Sequence, residues 1–269
     1  MKFICPICRE KLNISDNAAV CKMRHSFDKS KYGYFNLLPP KVGTHGDNRE
    51  MVLARRAFLS GGYYEPLRDK IAALVSELLP SGGAVLDAGC GEGYYTLGVK
   101  LGLQNRRNYI SVFDISKDAV REACKKKCAD EYAVASSYHM PYGDSEFDLV
   151  LNTFSPQAPS EVRRVLKTGG FFVMAIPGEE HLFGLKRAIY ETPYKNTVED
   201  TAIDGFNLVS SHELRYTLEL NTGDDVKNLF MMTPYAYRTK ASDREKILSM
   251  DHLTTDAHFY ILVYRKEGE

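Results

Sequence analysis

The sequence has no long apolar run. Nothing in it approaches the roughly 18 consecutive apolar residues of a membrane-spanning helix, so no membrane association is expected. The first residues lack the basic-then-apolar pattern of a signal segment, and the expectation is a soluble, cytoplasmic chain. Six cysteines in 269 residues are too few for a disulfide scaffold. Net charge is also missing: 35 basic residues balance 35 acidic ones. Taken alone, that balance argues against a nucleic-acid binder. No internal repeat is visible.

The charge is unevenly placed, however. Residues 1–41 hold eight Lys or Arg (the first Lys2, the last Lys41) against only Glu10, Asp16 and Asp28. A basic anchoring module on a near-neutral or acidic body is the expected arrangement. That front segment also carries the strongest metal pattern of the chain: Cys5-x2-Cys8, twelve residues, then Cys21-x3-His25. A C-x-x-C turn aims two thiolates at one point, and a second turn completes a tetrahedron. The spacing also suits a ββα finger, and a redox C-x-x-C pair is the plainer alternative. Asp16-Asn17 between Ile14 and Ala18 reads as a hairpin turn, which favours a zinc ribbon over the finger. Four protein ligands leave no open position, so the Zn2+ would be structural.

The rest of the chain is organised around Ala84-Val-Leu-Asp-Ala-Gly-Cys-Gly-Glu-Gly-Tyr-Tyr-Thr96. The spacing predicts a buried strand, a glycine turn and a helix N-terminus whose free N–H groups face a ligand. The dinucleotide fingerprint is G-x-G-x-x-G. Here the third glycine comes one residue early, and Asp87-x-Gly89-x-Gly91-x-Gly93 instead resembles the first motif of S-adenosylmethionine (SAM)-dependent methyltransferases. A second acid should then end the next strand and accept from the ribose hydroxyls. Asp114, after Tyr109 to Phe113 and 25 residues beyond Gly89, stands there.

The expected fold is therefore α/β: a Rossmann-like class I SAM-dependent methyltransferase with a small N-terminal zinc ribbon. Its expected parts are a ribbon at 1–38, a linker and connecting helix at 39–60, and a methyltransferase domain at 61–269. The turn-rich stretch 40–48 carries the linker. Helices are predicted over 95–103, 160–166 and 181–190, strands over 132–135, 147–152, 170–176, 206–220 and 258–264. In Phe27 to Pro39, aromatics interleave with Lys29 and Lys31. They suit either stacking on unpaired bases or the ribbon's own core, and both readings stand.

At the site, Tyr64, Tyr94 and Tyr95 could cover the cofactor and face its positive sulfur, or pack as core. Ser136 follows the third strand, where this superfamily contacts adenine, often through an acid. Asn152-Thr-Phe-Ser-Pro156 forms a wall of the substrate pocket. Asn152 and His181 are the candidates for helping remove a substrate proton, and His181 also reads as a cofactor contact or a helix-surface residue.

Several stretches together point to one family. The Cys5, Cys8, Cys21, His25 ribbon, Tyr32-Gly-Tyr-Phe-Asn-Leu-Leu-Pro39, Arg55-Arg56-Ala-Phe-Leu59, Tyr64-Glu-Pro-Leu-Arg-Asp69, the glycine motif, Pro177-Gly-Glu-Glu-His-Leu182 and Met232-Thr-Pro234 resemble the 23S ribosomal RNA guanine-N1 methyltransferases. The resemblance spans nearly the whole chain. It implies SAM contacts at Tyr64, Gly93, Tyr94 and His181, with Asp114 as the ribose acid. It also implies methylation of a guanine in a hairpin loop of 23S rRNA, a ribbon that helps hold that RNA, and a homodimer. The competing reading is a small-molecule SAM-dependent methyltransferase with a structural zinc module.

Overall fold

In the computed structural model, which describes residues 3–40, 43, 46–104, 106–198 and 201–268, the chain begins as a three-stranded antiparallel ribbon. Strands β1 (Asn13–Ile14), β2 (Ala18–Val20) and β3 (Ser26–Asp28) pair in that order. Ser15 sets the first turn: its hydroxyl accepts from the Ala18 N–H at 3.2 Å, a local bond that favours turns over helix. Strand β4 (Phe35–Asn36) then leaves the ribbon and pairs in parallel with the main sheet, Phe35 opposite Ala133. Phe3 ties down the other end through an antiparallel bridge to Tyr142, their rings 5.4 Å apart. Phe3, Leu12, Phe35 and Leu37 share one buried cluster with Phe113 and Phe147. The aromatic segment is thus divided. Tyr34, Phe35 and Leu37 are core, but a core shared with the body, whereas Tyr32 is exposed near Lys31 and Arg121.

The linker expected at 40–48 falls partly outside the described residues, at 41, 42, 44 and 45. Beyond it Asn48 caps helix α1 (Arg49–Ser60), accepting from the Met51 N–H at 3.0 Å. Helix α2 (Glu65–Leu78) opens with Pro66 in its first turn, where a missing N–H costs nothing. It buries Leu67, Ile71, Leu74 and Val75.

The alternation that follows is β5 (Ala84–Ala88), α3 (Tyr94–Gly102), β6 (Tyr109–Asp114), α4 (Lys117–Lys126), β7 (Glu131–Val134), β8 (Phe147–Thr153), α5 (Pro159–Val165) and β9 (Leu166–Pro177). Then come α6 (Phe183–Ile189), β10 (Phe206–Leu220), α7 (Gly223–Met231), α8 (Tyr235–Arg238), α9 (Ala241–Leu248) and β11 (Leu253–Lys266). Eight strands form one sheet in the order β10-β11-β9-β8-β5-β6-β7-β4, parallel from β4 to β9, with β11 and β10 added antiparallel. This is the Rossmann-like α/β order expected of a SAM-dependent methyltransferase. Strand β5 lies between β6 and β8, so the connections diverge at its C-terminal end and open a crevice there.

Two local differences affect the site. Strand β9 starts at Leu166 and runs through Gly169-Gly170, because Leu166 already pairs with Phe147 across an irregular register. The strand expected over 170–176 therefore begins four residues earlier. Helix α6 starts at Phe183, so His181 lies in the preceding turn and not on a helix surface. No described helix is long and apolar enough to cross a membrane.

Candidate functional site

The metal centre follows from two similar turns. In each, the N–H after the turn donates back to the first cysteine carbonyl: Arg9 to Cys5 and Arg24 to Cys21, both at 2.9 Å. The result gathers Cys5, Cys8, Cys21 and His25 so that one ligand atom from each lies within 4.8 Å of the others. Cys8 Sγ lies 3.6 Å from Cys21 Sγ, and His25 Nδ1 lies 3.5 and 3.4 Å from Cys5 Sγ and Cys21 Sγ. With Zn–S near 2.3 Å and Zn–N near 2.0 Å, ligand atoms of a tetrahedral zinc sit about 3.5–3.8 Å apart. The donor set and its spacing fit structural zinc.

The second centre is the turn after β5. Gly89, Gly91 and Gly93 all adopt left-handed φ, +87°, +55° and +81°, which a side chain would resist. The Phe113 carbonyl accepts from both the Gly89 N–H (2.9 Å) and the Cys90 N–H (3.0 Å), fastening the turn to β6. Asp114 ends β6 and joins two loops: one carboxylate oxygen accepts from the Gly91 N–H at 2.9 Å, the other from the Ser116 N–H at 2.8 Å. Each oxygen keeps a further lone pair that can accept a hydrogen bond. Burial raises the Asp114 carboxyl above its ordinary value, against the pull of those two N–H groups and the Arg55 charge.

Asp87 lies deeper. Its Oδ2 accepts from the Thr96 hydroxyl at 2.6 Å, while its buried Oδ1 has no partner among the described residues. Burial pushes this carboxyl up to about 7, against the Thr96 hydrogen bond. An unpartnered buried acceptor is uncommon, and it fits the ammonium end of SAM. With bare glycine backbone, a strand-ending acid and this orphan oxygen, the residues present suit SAM. When bound, that group supplies an electrophilic methyl on a sulfonium.

The walls are contributed from a distance. Tyr64 precedes α2, and its hydroxyl lies 3.4 Å from His181 Nε2. The His258 backbone N–H donates to His181 Nδ1 at 3.4 Å. That bond places the ring proton on Nε2, which donates to Tyr64. Enclosure by Tyr64, Phe154 and Phe259 lowers the His181 pKa to about 3, mainly through desolvation. Tyr94 is the first residue of α3, and its ring lies against the cations of Arg68 (5.5 Å) and Lys126 (5.8 Å). Its buried hydroxyl is unpartnered among the described residues. Ser136 is buried two residues beyond β7, where its hydroxyl accepts from the Tyr138 N–H at 3.2 Å. Asn152, in β8, donates its amide to the Ala88 carbonyl (3.4 Å) and the Pro156 carbonyl (3.3 Å), tying the loop after β8 to the end of β5. The structure therefore gathers Asp87, Gly89, Gly91, Gly93, Asp114 and Asn152 at one end of the sheet. Tyr64 and His181 form a second group, packed with Phe259. Tyr94 turns toward the cations of α2 and α4.

Two contributors were not foreseen. Asp47 accepts from the Ser116 hydroxyl through its carbonyl (2.6 Å) and pairs through its carboxylate with Arg55. Arg55 also donates to the Met232 carbonyl at 3.2 Å. The segment entering α1 is thereby fixed beside Asp114. Arg55 and Met232 both fall in stretches singled out above, but nothing in their spacing links them.

Comparison with known proteins agrees with these two centres. Residues 3–42 match a zinc-ribbon family described as RlmA, N-terminal, and residues 86–174 match one described as Methyltransferase domain. YxjB of Bacillus subtilis (strain 168), provisionally named a 23S rRNA (guanine-N(1)-)-methyltransferase, is 32% identical over 260 residues, covering 91% of this chain and 90% of its own. The 23S rRNA (guanine(748)-N(1))-methyltransferase of Streptomyces fradiae is 31% identical over 224 residues, covering 81% of this chain and 79% of its own. Among solved structures, YcgJ protein from Bacillus subtilis aligns over 74% of this chain and 99% of its own, with a TM-score of 0.49 and 15% identity. With a ribbon, a glycine turn and relatives 31–32% identical over most of both chains, the chain belongs to the family of SAM-dependent 23S rRNA (guanine-N1-)-methyltransferases.

Proposed function

We propose that this chain transfers a methyl group from SAM to N1 of a guanine in a hairpin loop of 23S rRNA. The observation that carries the reading is the joining of two centres in one fold: a zinc-sized Cys3His cluster on a basic ribbon, and a glycine turn with Asp114 beside it. The ribbon packs on the sheet that carries the turn, through β4 and Phe3. RNA gripped by one is thus held at a fixed offset from the other. A looped base is the easiest to present, because an unpaired nucleotide costs least to splay from its stack.

Methyl transfer is an in-line displacement, so the protein's main task is alignment. In this reading Asp114 accepts from the ribose hydroxyls, Asp87 receives the ammonium, and Gly89, Gly91 and Gly93 leave the backbone open. Tyr64, Tyr94 and Ser136 line the same cofactor region. Guanine N1 must lose a proton to become a good nucleophile. His181 is neutral near pH 7 and could accept one, but its Nδ1 lone pair is committed to the His258 N–H. The role its two bonds support is to orient Tyr64 and the pocket wall. Asn152, a carboxamide with no basic nitrogen, supports the loop beside the reacting atoms. Full single-turnover rate in His181→Ala, at saturating SAM and RNA, would remove any chemical role for that ring.

The homodimer belongs to the same reading and rests on the family resemblance, while the cytoplasmic location rests on the expectation drawn from the sequence pattern. Light scattering on purified protein should give twice the 30.4 kDa chain mass. The competing small-molecule reading predicts methylation of metabolites that does not depend on residues 1–38. Incubation with labelled SAM and unmodified 23S rRNA, followed by mapping of the labelled base, separates the two.

A further inference from the structure

Phe154, at the end of β8, combines two unfavourable features. Its φ is +56°, in the left-handed region that a bulky non-glycine residue enters only under constraint. The residue is also 42% exposed, although Tyr95 and Phe259 beside it are buried. One exposed apolar ring needs no explanation by itself. Backbone strain that turns a ring toward solvent does, because it adds nothing to the core. Strain of this kind collects at sites of function.

The ring is firmly backed. Phe259 lies 5.5 Å behind it, Tyr95 6.1 Å away edge-on, and the His181 ring runs nearly parallel at 6.4 Å with an 11° tilt. The Phe154 N–H donates to the Ala175 carbonyl at 3.1 Å, which pins the strained residue to β9. The next residue fixes its location in the site. Ser155 presses on the first glycine of the cofactor turn so closely that a Cβ on Gly89 would fall 2.0 Å from Ser155 Oγ. The free face of Phe154 therefore opens one residue away from the methyl donor's cradle.

We propose that this free face is the stacking surface for the purine base presented for methylation. The inference rests on the reading of the chain as an rRNA base methyltransferase, and it names the contact that holds the base against the cofactor. A rigid, flat, prepositioned ring would orient the base plane without reading its identity. Selection of guanine is left to polar groups around its edge.

The chain contains no tryptophan, so Phe154→Trp installs a single indole at the proposed contact. In the zinc-loaded full chain with S-adenosylhomocysteine, a hairpin carrying the mapped guanine should quench that indole. The same hairpin with an abasic site at that position should not. Phe154→Leu should lower kcat/KM for RNA by about 10- to 100-fold, the size expected for losing a base–aromatic stack, and Phe154→Tyr should stay within about threefold of wild type. Phe154→Gly releases the backbone strain, so its Tm should equal or exceed that of wild type while its kcat/KM falls as in Phe154→Leu. S-adenosylhomocysteine affinity should be the same in all four variants. An indole that responds equally to the abasic hairpin, a Leu variant as active as wild type, or a loss that tracks S-adenosylhomocysteine affinity overturns the proposal alone. Wild-type protein inert on 23S rRNA overturns the parent reading, and the proposal with it.

Discussion

The ribbon and the glycine turn both depend on left-handed backbone, yet they hold it in different ways. In the ribbon's two metal-binding turns the left-handed residues are Arg9 and Arg24, at φ +64° each. They close the two turns that bring Cys5, Cys8, Cys21 and His25 to one point, and the apolar cluster of Phe3, Leu12, Phe35 and Leu37 lies between the ribbon and the body. In the turn the left-handed residues are Gly89, Gly91 and Gly93, which need no external constraint. Their order derives from β5, buried along its whole length between β6 and β8. One region relies on four ligand atoms, the other on a sheet. Loss of one ligand should collapse the first, whereas a substitution in the second should alter binding well before it alters folding.

Zinc removal should break this comparison most visibly. Structural zinc supplies about 10–16 kcal/mol in small finger modules. A chelator, or Cys21→Ser, should therefore release the ribbon and its β4 pairing. Hydrogen exchange should show protection lost over residues 3–36 and retained in β5 and β6. SAM affinity should change far less than RNA affinity. An intact ribbon without metal would erase the contrast.

Asp114→Ala is the corresponding strike at the turn. It removes two accepted N–H bonds and the expected ribose acceptor. Charge-assisted bonds of about 1.5–3 kcal/mol each translate to a 10- to 100-fold loss in SAM affinity when one is lost to the ligand. Titration calorimetry should show that loss with RNA affinity unchanged.

Acidity distinguishes two buried titratable groups, His181 and Asp87. His181 has a folded pKa of about 3 against an ordinary 6.5. Below pH 6.5 the unfolded chain takes up a proton that the folded chain refuses, so this stability is complete above 6.5 and is lost as pH falls toward 3. Asp87 runs the other way, with a folded value of about 7 against 3.8. Between those values the folded chain keeps a proton that the unfolded chain has released. Its stability is complete below about pH 4 and is lost as pH rises through 7. Melting temperatures across pH 4 to 8 should show Asp87→Asn removing part of the decline toward neutral pH, and His181→Gln removing part of the decline toward acid. Identical profiles in variants and wild type would refute both assignments.

The smallest effect is expected at Arg55 and Asp47, each side chain 28% exposed. Such a pair contributes about 0–1 kcal/mol. Asp47→Ala should weaken SAM binding by a few-fold with almost no change in Tm.

Cysteine spacing and alternating glycines carried most of this site into the sequence, because each encodes a short-range geometry: two ligand-bearing turns, or a strand, a turn and a helix start. Asp114 was legible for the same reason, as the acid that closes the next apolar strand. What escaped depends on contacts between distant residues. The pairing of β4 with β7 brings Phe35 to Ala133, and a two-residue strand has no periodicity to announce it. It makes Phe35 core and leaves Tyr32 exposed, in a segment where stacking on RNA was an equal expectation. Arg55 reaches the Met232 carbonyl, and Ser155 lies on Gly89, through tertiary packing alone. Leu166 entered β9 early because Phe147 was available as a partner, a choice that local propensity does not determine.

The most direct test of the central claim is a mapping experiment. Zinc-loaded protein is incubated with methyl-labelled SAM and unmodified 23S rRNA, the RNA is digested, and the labelled nucleoside is identified by mass spectrometry and placed in the sequence. The account predicts label on N1 of one guanine in a hairpin loop, lost in Asp114→Ala and after chelation. Label absent from the rRNA, or found on a metabolite instead, would contradict it.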